Sequence, residues 1–376
     1  MLTLTKSLFA LMLGFISSTI FGLIAIPFLK KLKAGQNINI YVEAHRSKAG
    51  TPTMGGLIFI IPTIAITVFL LLTGKIEYSV NLMIVLFVFF SYALIGFLDD
   101  FISLRRKSNK GLTQFQKLLL QLIVALVFYV LFRQFTSGDS YLRISALGID
   151  WNLGWFYGVF ILFLLVGSSN AVNLTDGLDG LAGGLSAISF LAFGLIAMGS
   201  WWIEGNSDMG IFCFILVGSI MGFLVYNSNP AKVFMGDTGS LTLGLSMAFL
   251  AISYAMNNPL IKPFSEGAIV VSFATLIVPL FDVVRVVWIR YRSHQPFFMP
   301  DQNHIHHKFL RMGLSHYATM ALILALAFFL SFFNIIAVEY ISNNIVIFID
   351  IVLWVAFHLW LDRRELIRTK HGIVND

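Results

Sequence analysis

Two aspartates, Asp176 and Asp179, stand three residues apart in the polar stretch 170–181, NAVNLTDGLDGL, and a glycine follows each of them. If this stretch opens a helix, the spacing places both carboxylates on one face, beside backbone N–H groups that favour anions. The glycines let a ligand approach the main chain closely. The motif therefore suits a metal ion or a polar ligand, although a helix-capping loop uses the same residue types.

Two further acidic motifs follow the same theme. Asp99 and Asp100 come directly after an apolar run, and adjacent carboxylates repel each other unless a cation offsets them, as at a divalent-metal or proton-transfer site. Asp237 lies between glycines and beside hydroxyl groups in VFMGDTGSL, at the start of another apolar run. A plain helix cap is the alternative for Asp237.

Basic and imidazole side chains form two more clusters. Lys48 and Thr53, in KAGTPTMGG, offer a point charge and accessible N–H groups to a phosphate, without the spacing of a Walker loop. Taken alone, this stretch favours a basic loop closed by a proline turn. His304, His306 and His307 form an H-x-H-H cluster, which suits either metal ligation or contact with a pyrophosphate. Because the chain has a single cysteine, which also excludes an intrachain disulfide, phosphate contact is the preferred interpretation over zinc.

The composition identifies the kind of scaffold that holds these clusters. Of 376 residues, 58% are hydrophobic and 12% are charged, against about 25% charged in soluble domains. The sequence therefore predicts an all-α polytopic membrane protein, one membrane-embedded domain over 1–376. Eleven apolar runs are candidate spans: 7–29, 55–73, 78–98, 117–134, 154–170, 181–199, 209–226, 240–257, 267–288, 317–338 and 341–361.

Charge distribution predicts the orientation. One side of the membrane carries 20 of the 25 Lys and Arg residues, which places the N-terminus outside and the C-terminus in the cytoplasm. Five basic residues are interpreted mainly as part of this positive-inside anchor, with contact to a lipid phosphate as the alternative: Arg105, Arg106, Lys107, Lys110 and Lys117. The net charge of +6 follows from the same bias, so contact with anionic membrane lipid explains it and nucleic-acid binding is not expected.

All five polar clusters fall in loops on that cytoplasmic side, and helix caps alone would have no reason to choose one side. The sequence therefore predicts one site built from loops 43–56, 99–117, 170–181, 227–240 and 290–316. Carboxylates, histidines and basic residues together suit Mg²⁺-assisted phosphoryl transfer, with a lipid substrate because the site lies at the membrane edge. Asp350, near the middle of the last span, stands apart and is expected to be a structural hydrogen-bonding partner.

The motifs NLTDGLDGLAGG, VFMGDTGSL, KAGTPTMGG, the Asp pair and HIHHKF together resemble the polyprenyl-phosphate N-acetylhexosamine-1-phosphate transferase superfamily, glycosyltransferase family 4, over essentially the whole chain. The resemblance implies an enzyme of the bacterial inner membrane that moves HexNAc-1-phosphate from a UDP-N-acetylhexosamine to undecaprenyl phosphate and releases UMP. Mg²⁺ is the implied cofactor, with Mn²⁺ as an alternative ion. A homodimer is left open.

The same resemblance implies roles for individual residues. Asp237 becomes a metal ligand, and Asp99 and Asp100 become the acidic pair at the reacting phosphates and further metal ligands. Asp99 is the candidate base; binding or orienting the reactants, or acting as a carboxylate nucleophile in a two-step route, are its alternative roles. The implied substrate contacts are Lys48, Thr53, Asn173, Asp176, Asp179, Phe234, His304, His306 and His307, with Phe234 stacking on uracil and the histidines at the pyrophosphate.

Two branches of the superfamily compete. The first half of the chain resembles the phospho-MurNAc-pentapeptide translocases of peptidoglycan synthesis, whereas NPAKVFMGDTGSL and PDQNHIHHKFLRMGLSH resemble the GlcNAc-1-phosphate transferases that start teichoic-acid, lipopolysaccharide O-antigen or enterobacterial-antigen synthesis. Because the histidine loop is where the family distinguishes the sugar, the sequence prediction favours UDP-GlcNAc. A transporter or lipid flippase and a membrane zinc hydrolase are the alternatives from other classes; Mg²⁺-dependent UMP release and a zinc-selective chelator would separate them.

Overall fold

The computed structural model describes residues 2–32, 50–106, 108, 111–136, 140–144, 148–198, 207–255, 265–294 and 303–370. Lys48 lies outside these ranges, so its predicted phosphate contact is not located by the structure. Within the described ranges, eleven helices are 16 residues or longer, and one further helix is a short turn of seven residues.

The helices follow the apolar runs in chain order. They are α1 (Leu2–Lys31), α2 (Leu57–Leu72), α3 (Val80–Arg105), α4 (Gln114–Phe135), α5 (Trp155–Thr175), α6 (Leu181–Met198), α7 (Ser207–Asn227), α8 (Gly236–Ala255), α9 (Ser265–Arg292), α10 (Ile305–Arg311), α11 (His316–Tyr340) and α12 (Asn343–Lys370). The long helices, all but α10, each overlap one predicted span. The prediction of a polytopic, all-α membrane protein is confirmed.

Seven of these helices are long and apolar enough to cross a membrane by length and composition, and the predicted fourth span, within α4, is one of them. Helix α2 and the apolar part of α6, Leu181–Ala197, are shorter apolar helices. The predicted ninth span ends at residue 288, but α9 continues to Arg292, because Asp282 and Arg285 find hydrogen-bonding partners inside the protein.

The segment between α4 and α5 contains a short strand pair that the all-α prediction did not include. Strands β1 (Tyr141–Ile144) and β2 (Ile149–Asn152) pair antiparallel, with Tyr141 opposite Asn152 and Ile144 opposite Ile149. A two-stranded ribbon of this size is only marginally stable by itself, so it is a local cap on the helical bundle.

Small residues let the central helices approach closely. A Cβ added at Gly218 of α7 would lie 2.0 Å from the carbonyl oxygen of Leu11 in α1. Without a hydrophobic driving force inside a membrane, such close backbone contact and van der Waals packing hold helices together. Helices α1 and α7 therefore pack with their backbones in close contact at the main core.

A second hydrophobic cluster joins α9, α10, α11 and α12 to the loop before α6. Its buried members include Leu178 from that loop, Leu181 at the start of α6, Phe309 from α10 and Leu361 from α12.

Between α11 and α12, Asp350 accepts a hydrogen bond of 3.0 Å from Asn334 Nδ2. That contact fits the structural role expected for Asp350.

Candidate active site

Three carboxylates meet where α3 ends and α8 begins. Asp99 and Asp100 lie in the last two turns of α3, and Asp237 is the second residue of α8. One carboxylate oxygen from each lies within 4.8 Å of the others. Among the residues the structure describes, this is the one group of three or more acidic, histidine or cysteine side chains close enough to hold a metal ion.

Close packing of α3 against the start of α8 brings these acids together. A Cβ at Gly96 would lie 2.2 Å from the carbonyl oxygen of Asp237, so no larger residue fits there without moving one helix. Gly96 also lies one turn before Asp100 on α3, on the same face. The absence of a side chain at one position therefore sets the spacing of all three carboxylates.

Asp100 caps α8 from the neighbouring helix. Its Oδ2 accepts hydrogen bonds from Thr238 N at 2.9 Å and Thr238 Oγ1 at 2.6 Å, and its Oδ1 accepts one from Asp237 N at 3.3 Å. The first N–H groups of a helix have no intrahelical partner and favour an anion. Asp100 thus has a structural task alongside any metal contact, and it fixes the start of α8 relative to α3.

Lys117, the fourth residue of α4, bridges two of the acids. Its Nζ lies 3.2 Å from Asp99 Oδ1 and donates a short hydrogen bond to Asp237 Oδ2. Asp99 Oδ1 also accepts a hydrogen bond of 3.0 Å from Leu112 N, in the loop between α3 and α4. A capping box at Thr113 starts α4 just before the lysine. The sequence interpretation placed Lys117 mainly in a membrane anchor and missed this position.

Asn173 joins the cluster from the last turn of α5. Its Nδ2 donates to Asp237 Oδ1 at 2.8 Å and to Ser240 Oγ at 2.8 Å. Asp237 therefore has one oxygen held by an amide and the other by an ammonium group. With both oxygens held, Asp237 is fixed in orientation from two neighbouring helices.

Thr53 and Phe234 lie on two segments that pair beside the acids. Phe234 N donates to Pro52 O and Phe234 O accepts from Gly55 N, each at 2.8 Å. Gly236 has φ +73°, and a Cβ there would lie 2.5 Å from Asp100 Oδ2 and 2.7 Å from Thr53 Oγ1. The structure therefore places Thr53 at the carboxylate cluster. The stacking of Phe234 on uracil remains a prediction.

The aspartates of the DGLDG motif have different surroundings. Asp176 is partly buried at the C-terminal end of α5. Asp179 is buried, and its Oδ2 accepts from Asn229 Nδ2 at 3.1 Å and Ala231 N at 3.2 Å. Asp179 thus holds the loop that leads to Phe234. Its predicted contact with a nucleotide sugar remains untested, but the structure gives it a positioning task.

The histidine cluster is anchored by α9. Asp282 Oδ2 lies 2.8 Å from His304 Nδ1, and Asp282 Oδ1 accepts from Ile305 N at 3.1 Å and Arg285 Nη2 at 3.0 Å. Arg285 also donates to the carbonyl oxygen of Asn303. Asp282 and Arg285 interrupt an apolar run in the sequence, and that interruption is the signal from which their role could have been found.

His306 connects this segment to the DGLDG loop. A Cβ at Gly177 would lie 2.7 Å from His306 Nε2, and that nitrogen is buried without a hydrogen-bonding partner in the structure. Burial and the neighbouring His307 and His304 lower the pKa of His306 to about 3. His306 is therefore neutral at physiological pH and carries one N–H donor.

The charges at the three-acid cluster suit a cation. Three carboxyl groups face a single ammonium group in a largely buried site, so a further cation there would offset their mutual repulsion. Isolated buried charge is costly, and carboxylate oxygens are the ligands that Mg²⁺ prefers. Asp99, Asp100 and Asp237 therefore fit the predicted divalent metal, with Lys117 and Asn173 as neighbours that orient them.

Comparison with known proteins places this site in a family. The model of glycosyl transferase family 4 matches residues 81–255, and a signature of phospho-N-acetylmuramoyl-pentapeptide-transferase matches residues 48–60. A phospho-N-acetylmuramoyl-pentapeptide-transferase of Bacillus licheniformis is 46% identical over 246 residues, which cover 65% of this chain and 74% of the relative. The chain belongs to glycosyl transferase family 4.

Other relatives are also phospho-N-acetylmuramoyl-pentapeptide-transferases. The Bacillus subtilis protein is 46% identical over 247 residues, covering 65% of this chain and 74% of its own length. The Oceanobacillus iheyensis protein is 41% identical over 278 residues, covering 73% of this chain and 83% of its own length.

These relatives correct the prediction of the transferred group. The preference for a GlcNAc-1-phosphate transferase, with its implied teichoic-acid or lipopolysaccharide product, is wrong, because the relatives are named for the phospho-MurNAc-pentapeptide branch. The error came from weighting a short histidine motif, HIHH, above the rest of the chain. Residues 305–307 of that motif begin α10, which is held by Asp282 of α9 and by Asp362 of α12, so contacts within the protein also constrain this stretch.

Proposed function

We propose that this protein transfers phospho-MurNAc-pentapeptide from its UDP-linked donor to undecaprenyl phosphate, releasing UMP and forming the first lipid-linked intermediate of peptidoglycan synthesis. The observation that carries this proposal is the cluster of Asp99, Asp100 and Asp237 around Lys117, in a chain 46% identical to transferases of that name. A pyrophosphate donor needs grouped oxygen ligands for a metal and fixed positive charge, and this cluster supplies both.

Mg²⁺ is the proposed cofactor, with Asp99, Asp100 and Asp237 as its protein ligands. Bound there, the ion would neutralise charge on the pyrophosphate as the bond between its β-phosphorus and the bridging oxygen breaks. The neighbouring side chains fix the positions of the carboxylates that would bind the ion. Asn173 and Lys117 keep Asp237 in place, while Thr238 keeps Asp100 in place.

The proposed reaction is a single displacement. An oxygen of the lipid phosphate attacks the β-phosphorus of the donor, a new O–P bond forms, and UMP leaves with the electrons of the broken bond. Because a phosphate monoester has a second pKa of about 6, much of the lipid phosphate is already dianionic at neutral pH. Asp99, which is hydrogen-bonded to Leu112 N and Lys117, is therefore assigned to orienting the reactants rather than to removing a proton.

The histidine segment is proposed to contact the donor beside this centre. His306 is buried against Gly177 of the DGLDG loop, and its Nε2 has no partner in the described structure. A neutral imidazole with one N–H can donate to a pyrophosphate oxygen or to the sugar. His304, held by Asp282, and His307, which packs at 4.2 Å from His306 by ring centroids, complete the proposed contact surface.

The site is proposed to face the cytoplasm at the inner membrane. Its residues come from helix ends that the structure brings to one end of the bundle: the ends of α3 and α5 and the starts of α2, α4 and α8. The basic loops lie on this same side in the sequence prediction, so cytoplasmic UDP-donor and membrane-bound lipid phosphate would meet there.

The proposal is tested by UMP release and lipid-product formation with purified protein, UDP-MurNAc-pentapeptide, undecaprenyl phosphate and Mg²⁺. We expect product only when both substrates and the cation are present, and loss of product in Asp237→Asn. Asp350→Asn is the matched control, since Asp350 contacts Asn334 far along the chain from the cluster. UMP release without the lipid, or full activity in Asp237→Asn, would contradict the proposal. A transporter would release no UMP under any of these conditions.

A further inference from the structure

Helix α10, which carries His306 and His307, is too short to be stable by itself. It has seven residues, whereas isolated helices of fewer than about 12 residues are marginal in water. Its position must therefore come from contacts with other helices. One set of contacts comes from α9 through Asp282, and a second set comes from the end of α12.

Two ion pairs join α10 to α12. Lys308 pairs with Asp362, and Arg311 Nε lies 2.6 Å from Glu365 Oε1. Both partners on each helix are three residues apart, so both pairs lie on the facing surfaces of the two helices. The Lys308 side chain is 9% exposed, whereas those of Arg311 and Glu365 are partly exposed.

Apolar contacts run alongside these pairs. Phe309 of α10 packs against Phe357 of α12 with ring centroids 6.1 Å apart, and Leu361 of α12 is fully buried. Phe309, Leu361 and Leu178 belong to one hydrophobic cluster. The end of α12 therefore packs on α10, and α10 packs on the loop that carries Asp176 and Asp179.

This chain of contacts ends at the candidate active site. His306 lies on α10, little more than one turn before the ion-paired Arg311, and its Nε2 is in direct reach of the Gly177 backbone position. Interactions that hold a substrate-contacting group must fix it to within a fraction of an ångström, since a displacement of about 1 Å can reduce a rate by about 100-fold.

We propose that the charged end of α12 is a positioning element of the active site: the pairs Lys308–Asp362 and Arg311–Glu365 fix α10, and thereby set His306 and His307 against the DGLDG loop. The C-terminal helix thus contributes to donor recognition without touching the donor. The proposal rests on the proposed transferase function for its kinetic consequence, while its structural part stands on the ion pairs alone.

Charge reversal of the partly exposed pair tests this. Arg311→Glu and Glu365→Arg, each alone, place like charges opposite each other, and we expect kcat/KM for UDP-MurNAc-pentapeptide to fall roughly tenfold, mainly through KM. The double variant restores the pair in reversed order and should return kcat/KM to within about threefold of the original protein. Arg363→Glu, on the exposed side of the same helix turn, is the charge-matched control and should change neither parameter.

Hydrogen exchange of the α10 amides supplies a readout that needs no substrate. Exchange over residues 305–311 should rise in each single variant and return in the double variant, with similar thermal unfolding temperatures throughout. Single variants with unchanged exchange and kinetics would overturn the proposal, as would a double variant that is as impaired as the two single effects combined. If the original protein makes no lipid product, the proposed function fails, but the exchange data still decide the positioning role.

Discussion

Replacing Gly96 by alanine tests whether helix spacing controls the carboxylate cluster. The added Cβ would lie 2.2 Å from the carbonyl oxygen of Asp237 and 2.6 Å from the Cα of Thr238, while ordinary contacts begin at 3.4 Å. Both neighbours are backbone atoms at the start of α8, so neither can rotate away. The start of α8 and the end of α3 must therefore separate by about 1 Å, which is the amount by which these two distances fall short of an ordinary contact.

Gly96→Ala should reduce the reaction rate far more than it reduces the stability of the fold. Overpacking of this kind costs about 1–3 kcal/mol, while the gain in helix propensity from glycine to alanine returns about 1 kcal/mol. The net free energy of unfolding should thus fall by no more than about 2 kcal/mol. The same displacement moves Asp237 relative to Asp99 and Asp100, and a shift of about 1 Å at a reacting centre lowers a rate by about 100-fold.

The assay compares UMP release and thermal unfolding of the purified variant with those of Gly167→Ala. Gly167 lies within α5, and a Cβ there would meet no atom within 4 Å, so the same substitution adds propensity without a clash. We expect Gly96→Ala to lose about 100-fold in kcat and Gly167→Ala to keep full activity. Full activity in Gly96→Ala would refute the inference that this contact sets the geometry of the three acids.

Three further predictions concern charged and titratable groups. Lys117→Met should reduce kcat by about 100-fold or more, because the carboxylates of Asp99 and Asp237 lose the cation between them. Lys75→Met, at an exposed site, is the control and should leave kcat unchanged. Equal activity in both variants would contradict the role of Lys117 at the carboxylate cluster. Because the pKa of His306 is lowered to about 3 in the folded protein, acid protonates the unfolded chain first, and stability contributed by this group is lost as pH falls below about 6.5. Between pH 7 and pH 5, the original protein should therefore lose about 2 kcal/mol more of its free energy of unfolding than His306→Gln loses, as measured by thermal unfolding. An equal loss in both proteins would contradict the buried neutral state of His306. Asp282→Ala should lower the free energy of unfolding by about 3–5 kcal/mol, because Arg285 would keep a buried charge without its carboxylate; a loss below about 1 kcal/mol in denaturant titrations would show that solvent reaches this arginine.

The sequence predicted the membrane fold well because the signal is strong and simple. Uninterrupted apolar runs of about 20 residues are typical of membrane-spanning helices, and all eleven correspond to helices in the described structure. The ribbon formed by Tyr141–Ile144 and Ile149–Asn152 was missed, because two four-residue strands give too short an alternating pattern to distinguish from a loop.

The grouping of the acids was also predictable. Asp99, Asp100, Asp237 and Asn173 all lie at apolar-run boundaries assigned to one side of the membrane, and the structure brings them into contact. Their roles in catalysis remain predictions. Each membrane span brings the chain to the opposite side, so every second loop lies on the same side of the membrane. Motifs far apart in the sequence could therefore be assigned to one side before any contact was known.

Individual partners could not be predicted in the same way. Lys117 is one of five basic residues between Arg105 and Lys117 that look alike in the sequence. The capped start of α4, which directs Lys117 towards the acids, could not be recognised as decisive from the sequence alone. Asp282 looked like an interruption in an apolar run because its partners, His304 and the N–H of Ile305, lie more than 20 residues away. The sugar was predicted wrongly for a related reason. The sequence of the short HIHH motif does not show which of its residues are constrained by packing against neighbouring helices.

The central claim is tested most directly by competition between two donors in one reaction. Purified protein, undecaprenyl phosphate and Mg²⁺ would be supplied with equal concentrations of UDP-MurNAc-pentapeptide and UDP-GlcNAc, and the lipid products would be quantified by mass spectrometry. The proposed function predicts the pentapeptide-bearing lipid as the dominant product. A GlcNAc-bearing lipid as the dominant product would contradict it.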